Sequence, residues 1–136
     1  MRYYFEAVPH TAHPMSMLSG GLQTMSTYYE DSLDTSVLEF VHVNTIRLLA
    51  KLPVLAAYSH KKSIGQAFLY PDNNLSFVEN FLRLNFGNRA EDYVLNPVLV
   101  DALNKLLILH ADHEQNASTS TVRLVGSTGA NMFAAV

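Results

Sequence analysis

The chain is predicted to be all-α, on three observations. Apolar residues recur at steps of three and four, as in Met15, Leu18, Leu22, Met25 and Tyr29, which places them along one face of a helix. Helix-start patterns recur too: Ala12-His13-Pro14, Ser76-x-x-Glu79 and Asn96-Pro97 each suit a first turn. Strand signals are weak. Val122-Arg123-Leu124-Val125 alternates for too short a distance, and no Asn-Gly hairpin turn occurs.

The first helix is expected over about residues 13–29, with Pro14 in its first turn. Gly20-Gly21 falls in its middle, where each glycine costs about 1 kcal/mol. Close packing against a neighbouring helix is the ordinary reason to keep such a pair. Residues 31–36 read as a turn. A second helix covers about residues 37–51, with Val41, Ile46, Leu48 and Leu49 apolar. Pro53 opens a third over about 54–60, because a proline holds the residue before it, Leu52, extended. Residues 63–74, rich in Gly, Pro, Asn and Asp, form a loop. The Ser76-x-x-Glu79 box opens a helix over 77–86, which Gly87 ends. Asn96-Pro97 opens another that runs to Leu109. Residues 121–125 look helical until Gly126, and Gly129 precedes a last helix. That helix begins without a stop signal, so the chain is expected to be a piece of a longer protein. The total is about six or seven helices joined by short loops.

Composition limits the partners. The 136 residues fit one domain or part of one. Apolar residues are 49% and charged residues 15%, against a usual charged share of about 25%. Either the core is large for the length, or some apolar surface is meant to be covered. The net charge of −3, with no basic stripe, argues against nucleic acid. Without cysteine there is no disulfide and no thiol ligand or nucleophile. No apolar run reaches the roughly 18 residues of a membrane span, and Met1-Arg2-Tyr3-Tyr4-Phe5 lacks the long apolar region of a signal peptide. No membrane partner is expected, and a cytoplasmic location is the default.

The chemistry concentrates in one polar run, His110-Ala111-Asp112-His113-Glu114-Gln115-Asn116-Ala117-Ser118-Thr119-Ser120-Thr121, which follows the apolar stretch Leu103 to Leu109. Such a density of hydrogen-bonding groups is hard to bury unless each finds a partner. A small polar ligand needs it more often than a core does. His110, Asp112, His113 and Glu114 also permit a metal reading. Against it, only two histidines lie close together, cysteine is missing, and the order is not His-Glu-x-x-His; no metal is expected. A cluster that only caps the helix is the structural alternative. His13, His42 and His60 read as packing or surface residues, and His10 as part of a mobile N-terminal arm. Met15, Met17 and Met25 read as core filler.

With that run and its neighbours in view, the chain resembles the citrate synthases of the bacterial, long-chain type. Leu109 to Arg123 carries the resemblance, followed by Gly126-Ser127. Supporting blocks are Ala12-His13-Pro14-Met15, Tyr29-Glu30-Asp31-Ser32-Leu33, Arg47-Leu48-Leu49-Ala50-Lys51, Ser63-Ile64-Gly65-Gln66, Tyr70-Pro71-Asp72-Asn73 and Asn80-Phe81-Leu82. They fall in the family's order from about Ala12 onward. The chain departs from the pattern at Val8-Pro9-His10-Thr11, where an Arg-Arg-Asp type stretch is usual, and at Ala67, where proline is common.

The resemblance implies a multi-helical fold and the condensation of acetyl-CoA with oxaloacetate to citrate and CoA. It implies no cofactor; acetyl-CoA is a co-substrate. Residues 1–136 correspond to part of the family's large helical domain, and the C-terminal portion with the catalytic histidine and aspartate is expected to be absent. His113 and Asn116 match residues that bind oxaloacetate, and Ser118 matches a serine that orients the catalytic histidine. His110 and Asp112 are expected to support them. Tyr29, Arg47 and Lys51 fall where an allosteric nucleotide site draws a tyrosine and two cations; solvated surface cations are the plainer alternative. The implied assembly is a homo-oligomer, a dimer or a hexamer of dimers, with Gly20-Gly21 at a subunit face. A 2-methylcitrate synthase shares the fold, and a non-catalytic helical oligomerisation module is the reading from another class.

Overall fold

The computed structural model describes residues 1–112 and 114–136. Among them the chain is all-α, as expected, with seven helices, one 3-10 turn and no strand. The helices are α1 (Arg2–Ala7), α2 (Pro14–Ser26), α3 (Leu38–Ser63), α4 (Phe77–Phe86), α5 (Pro97–Ala111), α6 (Ala117–Gly126) and α7 (Met132–Ala135), and the 3-10 turn covers Glu30–Leu33.

Helix α3 is the axis of the structure, touched by α1, α2, α4 and α7. It is one helix of 26 residues with Pro53 inside it, so the expected break before Pro53 does not occur. A mid-helix proline removes one hydrogen bond and crowds the carbonyl a turn earlier. Here burial of Leu48 on one side of Pro53, and of Leu55 and Tyr58 on the other, holds both halves to the same core. Ile46 and Leu49 point outward, so the buried stripe is not the one their apolarity suggested. Joining the two halves also gives α3 a stretch of 18 residues with mean hydropathy 1.3, enough by length and composition for a membrane span. Only 22% of that stretch is buried: one face packs at the centre of the helix contacts, with Asn44 and Lys61 buried on it, and the other leaves Leu38, Ile46 and Leu49 exposed.

Helix α1 replaces the expected mobile arm. Its Phe5 is fully buried, with its ring edge-on to Tyr4, Tyr58 and Phe68 at 5.0, 5.6 and 6.1 Å. The glycine pair of α2 makes this possible. A Cβ on Gly20 would clash with the Tyr4 hydroxyl, and one on Gly21 would lie 3.1 Å from Phe5 Cζ. The pair does serve close helix packing, but against α1 of the same chain. Because α1 approaches on that side, the buried methionine of the first turns is Met17, at 1% exposure, while Met15 stays 62% exposed. The helix starts as read: His13 Nδ1 accepts from the Met15 amide at 3.2 Å and caps it. It ends at Ser26, short of the expected Tyr29.

Helix α4 opens on the predicted capping box, with Ser76 N donating to Glu79 Oε2 at 2.8 Å and Glu79 N to Ser76 Oγ at 3.4 Å. Gly87 ends it with an extended φ, and glycine is required there because a Cβ would lie 2.6 Å from the Arg83 carbonyl oxygen. Helix α5 touches α4 yet buries no residue. Leu99, Leu106, Ile108 and Leu109 are each more than half exposed. The charge-poor composition thus corresponds to uncovered apolar surface, around a core centred on Phe5, Met17, Leu22, Met25, Leu48, Leu55, Tyr58 and Phe133.

Candidate functional site

The polar run is the corner between α5 and α6. His110, on the last turn of α5, places Nδ1 2.7 Å from the Leu106 carbonyl oxygen. A carbonyl only accepts, so Nδ1 carries a proton in this contact. Asp112 is the extended C-cap of α5 and is exposed. Glu114 has φ 66°, in the left-handed region, where a residue other than glycine is uncommon. Asn116 caps α6: its Oδ1 accepts from the Thr119 amide at 2.9 Å. That leaves the amino half of the carboxamide as a donor. Because of this cap α6 begins at Ala117, ahead of the expected Thr121, and it continues through Gly126. Ser118 therefore lies in the first turn of a helix, whose leading N–H groups and positive dipole end favour anions. His113 lies outside the described residues.

The structure thus brings Asn116 and Ser118 together at one helix start, with His110 and Asp112 at the end of the helix before it. All four are exposed, so among the described residues the corner is an open surface. Among the described residues no three of His, Asp and Glu converge as metal ligands.

The second expected group divides. Arg47 Nη1 donates to both carboxylate oxygens of Asp31, at 2.8 and 2.6 Å, and to Asn44 Oδ1 at 3.0 Å. Its guanidinium carbon lies 4.4 Å from the centroid of the Tyr29 ring, and that ring stacks on Phe133 at 5.9 Å. Arg47 is therefore committed to a structural cluster joining α3, the 3-10 turn and α7. Tyr29 and Lys51 line a separate cavity of about 450 Å³ with Arg2, Tyr28, Tyr58 and Tyr70. Sequence reasoning missed Arg2 there because α1 itself was not foreseen; no signal beyond its single positive charge could have placed it.

The Asn116 cap can be separated from any ligand role. Asn116→Ala is expected to lower stability by about 1 kcal/mol, the ordinary worth of an N-cap, whereas Asn116→Asp keeps an acceptor and lowers it far less. Urea denaturation of the two variants measures this. Equal losses would mean that the cap contributes nothing.

Three kinds of similarity bear on this corner. The family model described as "Citrate synthase, C-terminal domain" matches residues 1–136. Citrate synthase 1 of Mycobacterium tuberculosis is 57% identical over 136 residues, covering 100% of this chain and 32% of that protein. The citrate synthase of Corynebacterium glutamicum is 51% identical over 132 residues, covering 97% and 30%. The crystal structure of citrate synthase from Pyrobaculum aerophilum superposes with a TM-score of 0.81 at 31% identity, covering 93% of this chain and 33% of that one. That from Thermotoga maritima superposes at 0.71 and 25% identity, covering 98% and 31%. The chain therefore spans about a third of the length of the relatives it matches. With a family match that leaves no residue out, the chain belongs to the citrate synthase family.

Proposed function

We propose that this chain is a stretch of the large helical domain of a citrate synthase, contributing part of the oxaloacetate pocket to an enzyme that condenses acetyl-CoA with oxaloacetate to citrate and CoA. The observation that carries the reading is the α5–α6 corner. Its Asn116 amide has its oxygen spent on the helix cap and its amino group left to donate, within a chain 57% identical to a mycobacterial citrate synthase. A dicarboxylate needs donors directed at its oxygens, and charge-assisted bonds to carboxylate are the stronger kind.

In this reading His113 and Asn116 donate to oxaloacetate. Ser118 holds its hydroxyl toward the histidine that the rest of a complete enzyme supplies. His110, its proton held by the Leu106 carbonyl, and Asp112 support the turn between the helices. A carboxylate elsewhere in the complete enzyme takes a proton from the thioester methyl. The resulting enol attacks the oxaloacetate carbonyl, and hydrolysis of the thioester releases CoA. Citrate synthases use no cofactor, and acetyl-CoA is a co-substrate. The exposed apolar residues of α5 and of the outer face of α3 fit a chain whose helices are covered in a larger, homo-oligomeric, cytoplasmic enzyme.

A chimera tests this. Residues 1–136 replace the matching segment of the mycobacterial relative, and CoA thiol release is followed with oxaloacetate and either acetyl-CoA or propionyl-CoA. Release with acetyl-CoA is expected. A folded chimera that releases none sinks the proposal, and preference for propionyl-CoA would make the enzyme a 2-methylcitrate synthase.

A further inference from the structure

We propose that Arg123 is a positioning residue for this corner: it acts through Gln115 to hold residues 114–116 against α6, so that Asn116 presents its amino group in a single direction. The inference rests on the synthase reading. Arg123 lies in the last turn of α6 and reaches back along the helix, its Nη1 donating to Gln115 Oε1 at 3.1 Å. Gln115 Nε2 donates in turn to Ser120 Oγ at 3.2 Å. An arginine only donates, so this contact sets which end of the Gln115 amide is oxygen, and with it the direction of the whole relay.

The relay sits where the backbone needs it. Gln115 lies between Glu114, held at φ 66°, and Asn116, the cap of α6. A left-handed residue other than glycine costs on the order of 1–3 kcal/mol and persists only when its surroundings over-determine it. The Asn116 cap ties the turn at one point. The Arg123–Gln115–Ser120 relay ties it at a second, one residue earlier. With both ties the carboxamide of Asn116 has one orientation; with the cap alone, residues 114 and 115 can turn about it. Among the described residues Arg123 forms no ion pair, so its charge also adds positive potential at the corner proposed to take a dicarboxylate.

Arg123→Gln and Arg123→Lys in the chimera test the proposal through steady-state constants for both substrates. Arg123→Gln is expected to raise the KM for oxaloacetate about tenfold and to leave the KM for acetyl-CoA unchanged, with a smaller fall in kcat. Arg123→Lys, which keeps a charged donor, should restore most of the loss. An unmoved oxaloacetate KM, or KM values for both substrates rising together, would overturn it. If the unsubstituted chimera folds but is inactive, the synthase reading fails by itself. The relay is then judged on the 136-residue chain by amide hydrogen exchange. Faster exchange confined to residues 114–119 in Arg123→Gln, recovered in Arg123→Lys, supports it, and unchanged exchange there refutes it.

Discussion

Phe5→Ala should lower the stability of the chain by about 3–5 kcal/mol, the cost of emptying a fully buried aromatic site that cannot collapse. The site cannot collapse because its walls are rings on separate elements. Phe5 meets Tyr4 on its own helix, Tyr58 on α3 and Phe68 in the segment after α3. Edge-to-face pairs contribute about 0.5–1.5 kcal/mol each beyond buried area. The ring is also the anchor of α1, which has six residues, well short of the roughly 12–15 at which an isolated helix becomes even marginal. Losing Phe5 therefore should release the whole helix and uncover Gly20 and Gly21, which were spared side chains to receive it. Thermal unfolding followed by circular dichroism measures the loss. A drop within about 0.5 kcal/mol, the scale of an ordinary surface change, would mean that α1 is not part of the core. Phe5→Leu, which keeps most of the volume, should lose much less.

What was legible in the sequence, and what was not, follows the range of the forces involved. Helix starts were readable because a cap is local: His13-Pro14, Ser76 with Glu79, and Asn96-Pro97 each act within one turn. Helix α1 was not readable. It has no side-chain cap, and its stability comes from Tyr58 and Phe68, far away in the chain. Pro53 misled for the same reason: its local preference to end a helix is overridden by the burial of Leu48, Leu55 and Tyr58 around it. At the candidate site, the polar run announced itself by composition, and Asn116 and Ser118 do come together at one helix start. The Arg123–Gln115 bond did not announce itself, since a lone arginine late in a helix usually reads as solvated. Arg47 was singled out through the family resemblance, and only the geometry reveals its ion pair with Asp31.

Lys61→Ala is expected to cost about 3 kcal/mol, through one buried carbonyl left unpaired and the volume of the lost stem. Lys61 is fully buried near the end of α3. Its ammonium donates to Gln66 Oε1 at 2.6 Å and to the Gly87 carbonyl oxygen. It thereby ties the end of α3 both to the loop that follows it and to the C-terminus of α4. Gln66 is exposed and can turn to water, whereas Gly87 is buried and cannot. Lys61→Met, which keeps the stem, should therefore still lose about 1–3 kcal/mol at the Gly87 carbonyl. The charge adds a pH signature that a packing role alone would lack. Burial pushes the Lys61 ammonium below its ordinary value of 10.5. As pH rises toward 10.5, the folded chain gives up this proton before the unfolded chain does. The unfolded state then holds more protons, so stability grows with pH in that window and levels off above it. Urea denaturation at about pH 8 and about pH 10 should therefore show the original chain gaining on Lys61→Met as pH rises. A constant difference between the two would mean that Lys61 stays protonated as easily inside the fold as outside it. The clamp would then be an ordinary pair of hydrogen bonds, with no linkage to pH.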